Sequence, residues 1–261
     1  MLQIIGSDTD LEEPVVMNNL QFLDITPNLL KIHLVALAAG GHNFTLQALS
    51  SSKLQSVVLL GCGVNLRLLR KIMLGQTLKA IAYRPSQAQV NAITGSDIVP
   101  TKLLATFMDS KLSLEELVLF PSTFNLERAS FKIFENIETL EVPLVDLLNI
   151  PFYEEDPEII YGLLKDHLPA NLKEINLRWM VSNFQTKVIV EQLAMLKMQN
   201  ILPHLDKVTI IFFGNSLGGL TFTAGTAWGS ISRMGVTVKE DCGKLYKDAG
   251  ISMVVEEKKG G

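Results

Sequence analysis

The segment Asn171-Leu-Lys-Glu-Ile-Asn-Leu-Arg-Trp179 contains the spacing that decides the fold of this chain. Two residues separate Leu172 from Ile175, and one residue separates Ile175 from Leu177, so the last two apolar side chains alternate with period two. This alternation predicts a short strand with one buried face. The same spacing recurs at Leu29, Ile32, Leu34; Leu54, Val57, Leu59; Leu78, Ile81, Tyr83; Leu114, Leu117, Leu119; Ile137, Leu140, Val142; and Leu205, Val208, Ile210. The chain therefore repeats one strand pattern.

Helical patterns occupy the stretches between these strands. The successive first positions lie 25, 24, 36, 23, 35 and 33 residues apart, and three of the steps fall within the roughly 20–29 residues of a leucine-rich repeat. Apolar stripes at helical spacing are Leu68, Leu69, Ile72, Met73 after Asn65; Leu103, Leu104, Phe107, Met108 after Thr101; Ile159, Ile160, Leu163, Leu164 after Asp156-Pro157; and Ile189, Leu193, Leu196 before Pro203. Alternating strands and helices predict parallel strands joined by helical crossovers.

Two architectures fit this alternation, a doubly wound sheet and a solenoid. A doubly wound sheet buries both faces of its strands, so the strands read as continuous apolar runs. Here polar residues such as His33, Glu116 and Glu174 occupy the alternate strand positions. The pattern favours an α/β, irregular leucine-rich-repeat solenoid with a parallel sheet on the concave side and helices on the convex side.

Several segments resemble a known repeat family. Ser113-Leu-Glu-Glu-Leu-Val-Leu-Phe120 looks like a leucine-rich-repeat strand, and Cys62 follows Leu54, Val57 and Leu59 as in the pattern L-x-x-L-x-L-x-x-N/C. Together with long insertions and the segment 242–250, these repeats resemble the ribonuclease-inhibitor-like repeats of fungal F-box proteins. The resemblance implies repeats that recognise a substrate for a ubiquitin ligase. No F-box pattern of the Leu-Pro-x-Glu-Ile type precedes residue 20, so the chain would be the repeat part alone or a member without the box.

Composition restricts the class of protein. Lys and Arg number 23 and Asp and Glu 27, which gives a net charge of −4 and no electrostatic signature of nucleic-acid binding. No apolar run reaches the roughly 20 residues of a membrane span. Two cysteines fit a reducing compartment, so we expect a cytoplasmic or nuclear protein. We predict one domain over 1–261, with an irregular N-terminal cap at 1–19 and a frayed tail at 256–261.

One motif suggests an enzyme. Gly214-Asn-Ser-Leu-Gly218 matches the G-x-S-x-G turn that presents a hydrolase serine, here Ser216. A hydrolase of that kind needs a histidine later in the chain, and the last histidine is His204. Histidines and cysteines show no metal-ligand spacing, and no phosphate-binding glycine loop occurs. We therefore predict no catalytic residue, no cofactor and no metal, with a serine hydrolase as an alternative.

Function is predicted from the alternate strand positions, which face away from the core. A solenoid presents these positions as a broad platform for another protein, and the middle of the platform is apolar. We predict a protein-interaction module that binds through His33, Val58, Leu60, Arg84, Val118, Phe120, Glu141, Asn176 and Arg178. In one alternative an insertion, such as residues 85–100, covers this face. In another the chain is a structural repeat fragment without a catalytic role.

Overall fold

Parallel strands with one buried face form the sheet regions of the protein. The computed structural model describes residues 2–5, 15–17, 30–35, 37–39, 53–62, 69–70, 73, 77–85, 100–119, 128–143, 156–178, 183–214 and 228–259. The chain divides into two units. The first comprises Met1–Ala129 and Ile133–Ile137, and the second comprises Ser130–Lys132 and Glu138–Gly261.

The described strands of the first unit follow chain order across its main sheet. They are β1 (Leu2–Ile5), β2 (Val15–Met17), β3 (Lys31–Val35), β4 (Leu37–Ala39), β5 (Ser56–Cys62), β6 (Ala80–Pro85) and β7 (Glu116–Leu119). The order is β1-β3-β5-β6-β7 with every pairing parallel, while β2 and β4 form a separate parallel pair. Helix α1 (Pro100–Ala105) and a 3₁₀ turn (Met108–Ser110) precede β7.

The second unit alternates strands and helices. Its described elements are β8 (Thr139–Val142), α2 (Pro157–His167), β9 (Glu174–Arg178), α3 (Asn183–Met198), β10 (Lys207–Gly214), α4 (Trp228–Ala249) and β11 (Ser252–Lys259). The strands lie in the order β8-β9-β10-β11, all parallel. The predicted α/β class with parallel strands and helical crossovers is thus confirmed. Within each unit the described strands show none of the order reversal that marks a doubly wound sheet.

The predicted strand register is confirmed wherever the structure describes the side chains. In the first unit Ile32, Val57, Ile81 and Leu117 lie side by side in register and are all buried. In the second unit Leu140, Ile175 and Val208 form the equivalent buried row. The first apolar residue of each pattern is also buried wherever it is described. One face of each sheet therefore packs in a core.

A backbone motif repeats at the entrance to the strands. The carbonyl oxygen of Gln55 accepts hydrogen bonds from the N–H groups of Lys79 and Ala80, at 2.7 and 3.1 Å. Leu30, Lys79, Glu138 and Lys173, which occupy the same pattern position, accept in the same way from the next strand. Equivalent positions along the sequence therefore hold equivalent positions in the structure.

The helices match the predicted stripes with two corrections. Asp156 caps α2 as expected, since its carboxylate accepts a 2.9 Å hydrogen bond from the N–H of Glu158. Leu69, Met73, Leu103, Leu104, Phe107, Ile160, Leu163, Leu164, Ile189, Leu193 and Leu196 are buried as predicted. Ile159 and Met108 are instead exposed, because Ile159 lies on the solvent side of the first turn of α2 and α1 ends before Met108.

Differences from the sequence predictions concentrate at the ends of the chain. Two strands, β1 and β2, occupy part of the segment 1–19 that was predicted to be irregular. The last strand, β11, continues through Lys259 and so includes most of the segment 256–261 that was predicted to be a frayed tail. It continues because its backbone pairs with β10 as far as Gly214. No helix in the described part of the chain is both long enough and apolar enough to cross a membrane.

Candidate protein-binding face

The strand residues that alternate with the core form the opposite face of each sheet. In the first unit His33, Val58, Ala82 and Val118 lie in one row across four neighbouring strands, and each side chain is half-buried. Two residues further along β5 and β6, on the same face of the sheet, Leu60 lies opposite Arg84. Leu60 is half-buried and Arg84 is exposed. We call these six residues the apolar row. It joins five of the predicted binding residues on one surface.

His33 and Arg84 are the polar members of the apolar row, and His33 is the half-buried one. Its Nε2 atom is inaccessible to solvent and has no hydrogen-bond partner among the described residues. Gln3 of β1 and Val58 of β5 flank it in register. A buried ring nitrogen without a hydrogen-bond partner costs free energy of folding.

The second unit presents a polar face at the equivalent positions. Glu141, Asn176 and Arg178 are half-buried, as expected for positions that alternate with the core. The Arg178 guanidinium forms an ion pair with Glu141, and its Nε atom donates a 2.7 Å hydrogen bond to Glu141 Oε1. Arg178 therefore has an intramolecular role that the sequence did not predict.

A second ion pair joins β9 to the next strand, β10. Lys207 Nζ is 2.9 Å from Glu174 Oε1, and the two residues are in register on β10 and β9. The hydrogen bond to Glu174 raises the pKa of Lys207 above its ordinary value, and partial desolvation opposes this effect. Charged side chains of opposite sign thus occupy neighbouring strands of the second unit. This face is therefore polar, in contrast to the apolar row of the first unit.

Part of the predicted binding face is buried rather than accessible to a partner. Thr209 and Ile211 hold alternate positions of β10, which the sequence pattern predicts to face away from the core on the binding face, but they are only 2% and 1% exposed. Their neighbours Val208 and Ile210 are buried in the core, so β10 is covered on both sides at these residues. The prediction that Thr209 and Ile211 form part of an accessible face is wrong. The Thr209 hydroxyl also lacks a hydrogen-bond partner among the described residues.

Other predicted positions lie outside the described residues. Phe120 immediately follows β7, and residues 85–100 are described only at their two ends, Pro85 in β6 and Pro100 in α1. Of the hydrolase motif, Gly214 ends β10, whereas Ser216 and Gly218 fall outside. The hydrolase alternative therefore stays a prediction, as do the Phe120 contact and the covering insertion.

Cys242 is the cysteine whose side chain the structure describes. It is buried in α4, and burial raises the pKa of its thiol to about 11, with a further contribution from the negative charge of Glu191. A thiol with so high a pKa is a poor nucleophile and a poor metal ligand at neutral pH. Within the described residues, no three His, Cys, Asp or Glu side chains come together in a way that could hold a metal ion.

Comparison with known proteins adds no family and no relative to these structural observations. No protein-family model, curated protein or solved structure matches the chain.

Proposed function

We propose that this protein is a leucine-rich-repeat-type solenoid that binds another protein through the apolar row. The observation that carries the proposal is the alternation on β5 and β7: Val57, Leu59, Leu117 and Leu119 fill the core, while the apolar Val58, Leu60 and Val118 lie on the opposite face. Apolar side chains with an Arg beside them are typical of the centre of a protein interface.

Strand order and the repeated hydrogen bonds support the solenoid. Strands that follow chain order, with equivalent residues in register, are expected when repeats stack on one another. Stacked repeats of this kind build extended binding surfaces on one side of their sheet. The resemblance to F-box repeats extends the proposal to the class of partner, namely a protein that a ubiquitin ligase modifies.

The experiment compares partner capture by the wild-type chain with capture by Val58→Asp and Arg84→Glu, read by quantitative mass spectrometry. Each change places a carboxylate in the apolar row, and each should remove the same protein from the captured set. Gln55→Asp is the matched control for Val58→Asp, because it adds the same single negative charge at an exposed residue just before β5 and should retain the partner. Thermal melting confirms that each variant folds.

Direct binding of the purified partner then tests the interaction itself. Loss of affinity in Val58→Asp and Arg84→Glu but not in Gln55→Asp supports the proposal, and equal affinity in all four proteins contradicts it. The ubiquitin-ligase role further predicts less ubiquitination of the partner in cells that contain Val58→Asp in place of the wild-type chain.

A further inference from the structure

Three charged side chains lie on the face of the first unit that carries the apolar row. Of the described strand residues on that face, the charged ones are Lys31 of β3, Arg84 of β6 and Glu116 of β7. All three are exposed, and each directly adjoins a buried core residue of its own strand, which places it on the face opposite the core. The face therefore carries two positive charges and one negative charge.

The strand register fixes where these charges lie. Lys31 and Glu116 occupy one row with β5 and β6 between them, so three strand spacings, about 14 Å, separate their backbones. Arg84 lies four residues beyond Ala80 of that row, about 13 Å along β6. The three residues form a triangle, and the half-buried Ala82 of the apolar row lies inside it.

No ion pair among the described residues neutralises the three charges. The nearest acidic neighbour in the chain is different, because Glu115, beside Glu116, pairs with Lys79 at 2.8 Å. The second unit differs as well, since the charged residues on the outer face of β8, β9 and β10 form two ion pairs, Glu141–Arg178 and Glu174–Lys207. The first unit therefore leaves charges of both signs around an apolar centre.

A protein that covers the apolar row has to meet all three charges. A standard interface buries about 800 Å² on each partner, which is a patch roughly 30 Å across and so larger than the triangle. Charges that face each other across an interface are of opposite sign in stable complexes, and like charges in contact cost free energy. A uniformly acidic partner would repel Glu116, and a uniformly basic one would repel Lys31 and Arg84.

We propose that the partner presents an apolar patch with charges of both signs around it, in a fixed arrangement. Asp or Glu side chains of the partner lie opposite Lys31 and Arg84, and a Lys or Arg side chain lies opposite Glu116. This inference rests on the proposed function, since it names the chemistry of the surface that the apolar row binds.

The test measures the dissociation constant of the purified partner, defined as the protein that the wild-type chain captures and Val58→Asp does not. Lys31→Glu, Arg84→Glu and Glu116→Lys should each weaken binding by about threefold or more at low salt, because each places like charges across the interface. The loss should shrink at high salt, where charges are screened. Replacing the partner's acidic residue opposite Arg84 by Lys should restore the affinity of Arg84→Glu.

Arg70→Glu and Glu240→Lys are the matched controls, because they make the same charge changes at exposed residues of helices rather than of the sheet. They should leave the affinity unchanged, and every variant should melt near the temperature of the wild-type chain. Unchanged affinity in any of the three face variants, or tighter binding by Glu116→Lys, would overturn this proposal. The proposed function would still stand if Val58→Asp had lost its affinity, whereas wild-type affinity in Val58→Asp would overturn both.

Discussion

At the scale of single residues, the buried hydroxyl group of Ser110 links the turn before β7 to the segment that enters β6. Ser110 is 1% exposed, and its Oγ accepts the hydrogen bond of the Leu78 N–H, which lies 32 residues earlier in the chain. Ser110→Ala should lower the free energy of unfolding by about 1–3 kcal/mol, because it leaves a buried N–H group without a partner. Urea denaturation measures this loss. Ser252→Ala changes an exposed serine and should have almost no effect, so equal losses in the two variants would contradict the account.

Cys242 gives a prediction about reactivity. In a Cys62→Ser background it is the one remaining thiol, and with a pKa of about 11 only about one molecule in a thousand is ionised at pH 8. Iodoacetamide should therefore label the folded protein far more slowly than the urea-denatured protein. Labelling at the rate of the denatured chain would show that the thiol is accessible.

The same thiol contributes to the pH dependence of stability. An unfolded thiol ionises near pH 8.5, whereas the folded thiol stays protonated until the pH approaches about 11. The unfolded state therefore loses its proton first, and the free energy of unfolding should fall as the pH rises from about 9 to about 11. Cys242→Ala should remove this part of the decline, and an unchanged slope would contradict the assignment.

At the scale of elements, the Glu141–Arg178 ion pair ties β8 to β9. The two side chains are only 12% and 15% exposed, so removal of one leaves the other desolvated without its partner. Arg178→Ala should lower the free energy of unfolding by about 1–3 kcal/mol. The double variant Glu141→Gln, Arg178→Ala should lose less than the sum of the two single changes. Strict additivity in chemical denaturation would show that the pair contributes nothing to stability.

Strands were predictable from the sequence because one spacing determines both their period and their buried face. Helix α2 was predictable because Asp156 and Pro157 mark its start. Helix α4 was missed, since its glycines, such as Gly229 and Gly243, lower helix propensity. The signal that could have found it is the buried stripe Val238, Cys242 and Tyr246, spaced four residues apart.

The candidate site was only partly predictable, since alternation assigns a residue to a face but does not show what covers that face. Thr209 has the same pattern position as Val58, yet it is buried on both sides of its strand. The ion pair of Arg178 depends on the register between β8 and β9, which a single strand pattern does not contain. The exposure of Met108 depends on where α1 ends, and helix ends are poorly marked in this segment.

At the scale of the whole molecule, both units depend on the same division between core face and outer face. Leu117→Asp in the first unit and Leu177→Asp in the second should each abolish cooperative unfolding of their unit, because a buried carboxylate without a partner costs several kcal/mol. Circular dichroism melts, with Glu116→Ala as an exposed control, measure this effect. If either core variant melts cooperatively at the temperature of the wild-type chain, the strand register is wrong.

The most direct test of the central claim, that the face opposite the core binds a protein, is the dissociation constant of the captured partner for Val118→Asp. Val118 directly follows the core residue Leu117 on β7 and points to the other face of the sheet. The account predicts a folded protein that binds the partner at least about tenfold more weakly than the wild-type chain. A folded Val118→Asp protein with wild-type affinity, or a variant that no longer melts cooperatively, would contradict it.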